Sequence, residues 1–483
     1  MMSARFQEIV SRGRFARTGL RVSILFLLAA SGLLAQEPGR YGHYDVHDPD
    51  LPPRAEYAAR RAAVLKAMDT SSAMLVRAAE LVTRSNDVKY ELRQRNSMLY
   101  LTGVTEAESA LLLLPRGVNV NGSVVHEILF VGVRNPVTET WMGPMMGPEV
   151  AVQVTGIATV LPYDRLRSML DSFVPSLDTL YYDGWLHGTE KEPLTGTSYV
   201  WDREMKKAKG QQWGHLHVKN AGLILNGMRA VKSPVEQNLM RKAVEISMEA
   251  HRQTIRAARP GMHEYELEAV MEYNFHRLGS ESPGYPSIVG SGPNTCILHY
   301  ELNRRKTVAG DLVLMDCGAE YHGYSADITR TFPISGKFTP EQRAIYDIVL
   351  QAQQEAIDAC RSGNNFLLPH RKAVDVISAG LISLGIIEEE QNYSQYFLHG
   401  TSHYLGLDVH DVGNPYGNLV PGMVLTVEPG IYIPAGSKCD PKWWNIGIRI
   451  EDNIIVTDGA PLNLTESLPH TADEIEALMA IDD

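Results

Sequence analysis

Cysteine is scarce in this chain. Its 483 residues include only Cys296, Cys317, Cys360 and Cys439, none at the spacing of a zinc ribbon or finger. A thiolate metal site is therefore excluded, and the default state is free thiols, buried in the case of Cys296 and Cys317. Spacing alone leaves a disulfide open. Positive charge is also in short supply: 45 Lys and Arg face 57 Asp and Glu, a net charge of −12. With no dense basic cluster, nucleic acid is excluded as a partner. Long apolar runs are missing too. The run Val22–Ala30 falls far short of the ~20 residues that span a bilayer, so no stable membrane anchor is expected. Arg12, Arg14, Arg17 and Arg21 precede that run, and Leu33-Leu34-Ala35 follows it, ahead of Gln36-Glu37-Pro38. This is the three-part layout of a secretory signal peptide, residues 1–35, with cleavage after Ala35. No cysteine follows the apolar run, which argues against a lipoprotein anchor. An Arg-rich transit peptide competes, but export to the periplasm or beyond is the favoured expectation.

What the chain does have is acid in apolar surroundings. Asp316, Asp327, Glu428 and Glu451 sit in or beside LVLMDCG, YSADITRTF, VLTVEPG and IGIRIEDNIIV, and His403 lies in HGTSHYLGLDVHD. An unpaired buried carboxylate costs several kcal/mol at least, so four of them need a shared source of positive charge. Four carboxylates and one imidazole describe an oxygen-rich site for two divalent cations, whose charges balance the four acids. Leu312, Val313, Leu314 and Met315 are apolar at every position, so this strand is buried on both faces rather than alternating. A hairpin centred between Tyr321 and His322 would set Asp316 and Asp327 directly opposite each other, where like charges need a bridge. His399 and His403 have helical i, i+4 spacing, but Gly400 and Gly406 argue against a helix. One of these histidines suffices as a ligand. The others, with His410 and His299 (in CILHYELN), are placed to move protons or hold substrate.

The length suggests two domains, one over residues 41–225 and one over 230–483. The first reads as α/β: a helix Arg54–Met68 with Ala62, Val64 and Leu65 inward, and strands SALLLLP and VHEILFVGV. The second opens on Ser233-Pro234-Val235-Glu236, an N-cap, a Pro at N1 and a capping-box Glu. That helix should reach about Ala258, before Pro260-Gly261. Another follows from His263 to about Leu278, then strands bearing His299, Asp316 and Asp327. Thr339-Pro340-Glu341-Gln342 opens a third helix ending near Gly363, and a fourth runs from Arg371 to about Leu384. Strands bearing His403, Glu428 and Glu451 close the pattern. Helix–helix–strands thus occurs twice, an α+β duplication with the metal pair at its pseudo-symmetric centre.

Five segments together, SIVGSGPNTCILHY, VLMDCGAEYHGYSADITRTFP, HGTSHYLGLDVHDVG, LTVEPGIYI and GIRIEDNIIVT, resemble the pita-bread metallopeptidases. The nearest branch is the bacterial Xaa-Pro aminopeptidase (aminopeptidase P) and prolidase group, and the resemblance runs from about Tyr90 almost to the C-terminus. It implies a pita-bread catalytic domain behind a smaller α/β domain. It also implies that Asp316 is a terminal ligand of one ion, Asp327 and Glu451 bridge both, and His403 and Glu428 complete the other. A hydroxide shared by the ions would be the nucleophile, with Glu428 as general acid/base. His299 would stabilise the intermediate or protonate the leaving amine, His410 and His399 would contact substrate, and Arg449 would border the proline pocket with them. The implied metal is manganese, with cobalt or zinc as alternatives, and the implied assembly is a homo-oligomer, dimer or tetramer. YELRQRNSMLYLTG resembles the block that packs the first domain over the site, although Ser97 and Leu99 replace the usual aspartate and tryptophan. Trp141 matches an aromatic of the substrate cleft, but the arginine often found after it is absent. The expected reaction is removal of the first residue from Xaa-Pro-Yaa peptides. Prolidase action on Xaa-Pro dipeptides is the alternative. A metal-free creatinase-like hydrolase or a non-catalytic binding protein would usually lose ligand residues, whereas all five are present here.

Overall fold

The computed structural model describes residues 51–183 and 213–480; the expected leader and its cleavage point at Ala35 lie outside them. No described helix is long and apolar enough to cross a membrane.

The first domain is built on a mixed six-stranded sheet in the spatial order Val160–Pro162, Ser123–Val131, Ala110–Val120, Ser72–Arg77, Thr179–Tyr182, His217–Asn220. Ser72–Arg77 pairs antiparallel with Ala110–Val120 and parallel with Thr179–Tyr182. It is buried at every position, as a central strand covered on both faces must be. Both expected strands are present, joined through Asn121 and Gly122, each at positive φ, the backbone that a two-residue type I′ hairpin requires. The expected helix is Arg54–Ala67, but its inner face differs from the apolar stripe read in the sequence. Ala62 is exposed, while Tyr57, Arg60, Arg61 and Val64 are buried. The two arginines can be buried because they donate to the carbonyls of Tyr100 and Leu101, each at 3.0 Å, which satisfies donors that would otherwise be stranded.

In the second domain the helices Pro234–Ala257 and Glu264–Arg277 precede one set of strands, and Pro340–Ala359 and Leu368–Ser383 precede another. The capping boxes at Ser233/Glu236 and Thr339/Gln342 are both closed. The third helix stops at Ala359, a turn before Gly363, because the Asn364 side chain donates to the Ala359 carbonyl at 2.9 Å and ends the ladder. The fourth starts earlier than Arg371, with Pro369 in its first turn, where a missing N–H costs nothing.

Ile345 and Val349 of the third helix and Ile377 and Leu381 of the fourth pack against Val427, Ile431, Ile433, Ile448 and Ile450 in one core. Side chains alternate along a strand. The residues between these, Thr426, Tyr432 and Arg449, together with Glu451 next in alternation, are thereby turned to the opposite face. That face carries the site. The first half joins there: Glu451 N–H donates to Thr329 O at 3.1 Å, and Thr331 Oγ1 bonds both the N–H and the carbonyl of Arg449. The fully buried Arg330 pairs with Asp452 at 2.8 Å and donates to Glu451 O.

Candidate metal centre

Asp316 ends the strand Leu312–Asp316, whose partner Thr329–Pro333 sets Asp316 opposite Thr329, not Asp327. The expected register is off by one residue at the turn. Tyr321 pairs with Tyr324, so His322 and Gly323 form the turn, at φ 49° and 82°. Both central residues of a type I′ turn need that backbone, and Gly323 supplies the position that tolerates it best. Asp327 consequently lies across from Gly318, where a Cβ would come within 1.9 Å of Ala326 O; only glycine permits the approach. The two aspartates still converge. Tyr285 Oη lies 2.6 Å from Oδ1 of each, and one hydroxyl proton cannot serve two ionised acceptors at once. The backbone of Asp327 is pinned to the second half by Asn453, whose side chain accepts from its N–H at 3.2 Å and donates to its carbonyl.

His403 lies in irregular chain, as its neighbouring glycines predicted. Its N–H donates to Thr426 Oγ1 at 3.1 Å, and its Nδ1 is 3.0 Å from Tyr404 O. A carbonyl can only accept, so Nδ1 carries a proton, and Nε2 is the nitrogen a metal would take once its own proton is displaced. Nε2 is 3.3 Å from Asp327 Oδ2 and 3.4 Å from Glu428 Oε1. Asp327, His403 and Glu451 each offer an atom within 4.8 Å of the others. Glu451 Oε2 accepts from Thr329 Oγ1 at 2.7 Å, and Arg449 Nε donates to that same hydroxyl. Arg449 Nη2 reaches Asp316 Oδ2 at 2.5 Å. The five residues singled out by the sequence form one contiguous cluster, with Asp316, Asp327 and Glu451 buried and His403 and Glu428 partly covered.

The other histidines ring it. His399 Nδ1 is 3.6 Å from Glu428 Oε2, and its Nε2 is 2.7 Å from Tyr432 Oη, which also accepts from Arg449 Nη1. The His410 ring meets the His403 ring edge-on at 4.3 Å. His299 is exposed but close enough for its charge to bear on both His399 and His410, whereas Trp141 is 83% exposed on the helix Pro136–Met142. All four cysteines are free. Cys317 is buried as expected, whereas Cys296 is only partly covered.

Crowding sets the electrostatics. Burial, with Asp327 adding to it against the relief from Arg449, pushes the Asp316 carboxyl up to about 6. Burial pushes Glu428 up to about 7, and it drives Glu451 well above the carboxylate range with the neighbouring acids adding to the shift. Burial opposes ionisation of Asp327 as well, but the His403 contact outweighs it and holds that carboxyl down. His403 goes up to about 9, burial being overcome by Asp327 and Glu428. His399 falls to about 4 through burial and Arg449, so it is neutral at pH 7. A single arginine cannot neutralise four carboxylates, and protons make up the deficit. Two dications would fit the same donors and displace those protons.

Three contributors had no signal read in the sequence: Tyr285, Tyr432 and Thr329. Tyr432 was detectable in principle, as the one polar-tipped residue among the aliphatics of GIYI. Tyr285, in the irregular PGYPS, offers no periodicity to read.

Residues 57–181 match the aminopeptidase P N-terminal domain, and residues 238–458 match metallopeptidase family M24. A protein named Xaa-Pro aminopeptidase from Escherichia coli (strain K12) is 39% identical over 88% of this chain and 98% of its own length. Escherichia coli aminopeptidase P, solved with substrate, superposes with a TM-score of 0.80 at 38% identity, covering 89% of this chain and 98% of that one. The Pseudomonas aeruginosa aminopeptidase PepP gives 0.80 at 37% identity over the same shares. The chain belongs to metallopeptidase family M24, in the aminopeptidase P form that carries its own N-terminal domain.

Proposed function

We propose that this protein is a metallo-aminopeptidase that releases the N-terminal residue from peptides with proline in second position. The observation that carries this reading is the gathering of Asp316, Asp327, Glu428, Glu451 and His403 around one centre, in a chain of this family. These residues would hold two divalent ions, with Asp327 and Glu451 as the ligands common to both. Manganese is the proposed metal, because the donors are mostly carboxylate oxygens; cobalt and zinc are the alternatives. Bound there, the ions supply a water acidified to near-neutral pKa and a polarised scissile carbonyl.

The chain supplies the rest. Glu428, beside the place of the ions and 3.4 Å from His403 Nε2, takes and returns a proton. His299 and His410 donate to the developing oxyanion or to the leaving proline nitrogen. His399 is neutral, with Nδ1 donating to the Gly400 carbonyl and Nε2 held by Tyr432, so its ring can pack against substrate without repelling the peptide's terminal ammonium. With Arg449 it borders the proline pocket, and Trp141 offers an aromatic face. No arginine follows Trp141 to clamp a proline carboxylate, which supports an open cleft and longer peptides. The deciding assay compares Xaa-Pro-Yaa peptides with Xaa-Pro dipeptides on the metal-loaded protein. Higher kcat/KM is expected on the longer peptides, and a clear preference for dipeptides would make prolidase the better name. Elemental analysis of protein from its native host tests for manganese.

The proposal extends to setting and assembly. Export is supported by the layout of residues 1–35, and N-terminal sequencing of native protein should begin near Gln36. A homo-oligomer is supported by the exposed apolar side chains Val137, Trp141 and Met142 on one short helix. Light scattering should return a dimer or tetramer mass.

A further inference from the structure

Arg93 belongs to the first domain, on the extended segment before the helix Asn96–Thr102, yet its side chain works mainly on the second. Nε donates to Glu320 Oε2 at 2.8 Å, and Nη2 donates to the carbonyls of Gly323 at 3.1 Å and Leu407 at 2.8 Å. Nη1 donates to Gln94 O and Asn96 Oδ1. A guanidinium has five N–H groups, and each has an acceptor. Gly323 is the tip of the hairpin that separates Asp316 from Asp327. Leu407 lies between His403 and His410. One side chain therefore grips both segments that deliver ligands and histidines to the centre.

Packing at the same point agrees. A Cβ at Gly323 would lie 2.8 Å from Leu99 Cδ1 and 3.3 Å from Leu407 Cδ2. The hairpin tip is thus seated between a first-domain side chain and the histidine loop. Ser325 N–H donates to Gly406 O at 2.9 Å and ties the two segments directly. A cavity of about 360 Å³ opens beside Arg93, lined also by Asn96, Gly284, Glu320, Leu407 and Val409. With every donor engaged, Arg93 is a wall of this cleft and has no N–H left to hold a ligand. The side chain is 40% exposed and the Glu320 carboxylate it meets is 9% exposed, so removing it leaves a buried acid without its partner.

We propose that Arg93 is a positioning residue of the metal centre: it locks the first-half hairpin against the second-half histidine loop, so that Asp316, Asp327, His403 and His410 share one geometry. The catalytic part of this inference rests on the proposed aminopeptidase function; the lock itself does not. Misplacement by about an ångström costs as much as 10²-fold, so Arg93→Ala should lose about tenfold or more in kcat while keeping both metals, with a lower thermal midpoint because Glu320 loses its partner.

Amide hydrogen exchange should quicken together in segments 319–326 and 403–411, and stay unchanged in the helix Pro340–Ala359. Methylguanidinium, able to enter through the cleft, should restore part of kcat and of the protection, where an equal concentration of NaCl does not. Arg93→Lys, which keeps the charge but not the fork, should fall between, and it serves if the alanine variant does not fold. Wild-type kcat in both variants would overturn the proposal, as would faster exchange with unaltered kcat, which would make Arg93 a strut only. If the wild-type protein cleaves no Xaa-Pro-Yaa peptide, the proposed function fails, while the exchange experiment still decides the lock.

Discussion

The hairpin between Asp316 and Asp327 and the loop from His399 to Asp411 serve the same centre by opposite means. The hairpin places its carboxylates with backbone: a ladder whose strands are buried at every position, a two-residue turn and a glycine pressed on a carbonyl. The loop has almost no regular structure. It is held instead by side chains from elsewhere: Arg229 on Asp408 and Asp411 at 2.7 and 2.5 Å, Lys232 on Asp411 at 2.8 Å, and Arg93 on the Leu407 carbonyl. The metal ligands need a fixed frame, and four of the five draw it from a strand end or from a short gap beside strands. The proton-handling histidines sit where chain can adjust, and charge pairs keep that adjustment small.

The sharpest way to break the contrast is to remove a ligand set in the short gap between two strands. Asp327→Ala or Glu451→Ala should abolish turnover, a loss on the order of 10³-fold or more given the several kcal/mol that metal-ion catalysis supplies. Elemental analysis should show both metals gone. Near-normal turnover after stripping and reloading would end the shared-ligand assignment. Residues outside the ligand set should behave differently. His410→Ala and His299→Ala should keep full metal content and lose about 10²- to 10³-fold in kcat. Parallel loss of metal from either would move that histidine into the ligand set.

A third test uses pH. Asp316 and Glu428 titrate near 6 and 7 in the metal-free protein, above the ~4 of an unfolded carboxyl. The folded state therefore binds extra protons across that interval, and their contribution to metal-free stability falls as pH climbs through it. Metal binding must displace those protons and the one on His403, which is held to about 9, so affinity rises with pH over the same range. The melting-temperature gain from added metal over EDTA should be larger near pH 7.5 than near pH 5.5. An equal gain at both would refute the linkage. The smallest effect is expected from Tyr285→Phe, whose hydroxyl touches both aspartates without ligating: about a tenfold loss of metal affinity by competition titration, with no change in melting of the EDTA-treated protein beyond about 1 kcal/mol.

The sequence was most readable where periodicity and capping carry the information. The helices from Pro234 and Pro340 begin where their capping boxes predict, and the site residues on strands alternate with Val427, Ile431, Ile448 and Ile450. The five ligand positions were visible because acids in apolar segments are costly. Register was not readable. Whether a turn centres at Tyr321–His322 or His322–Gly323 depends on which residue accepts positive φ, and His322 does so unexpectedly. Ala62 failed for a related reason, since nothing local announces that Arg60 and Arg61 will find carbonyls forty residues away. Tyr285 and Arg93 act through contacts with residues distant in sequence, which a single chain read locally does not display.

The pairing of Arg449 with Asp316 has a consequence for how the protein is made. Synthesis runs from the N-terminus, so both first-half aspartates leave the ribosome well before the arginine that faces one of them. At ~10 residues per second the interval is on the order of ten seconds. During it the nascent hairpin exists but cannot bury Asp316 as a carboxylate beside its arginine. A chain truncated before Arg449 should therefore stay open at this hairpin and be cut there by proteases, however complete its helices are.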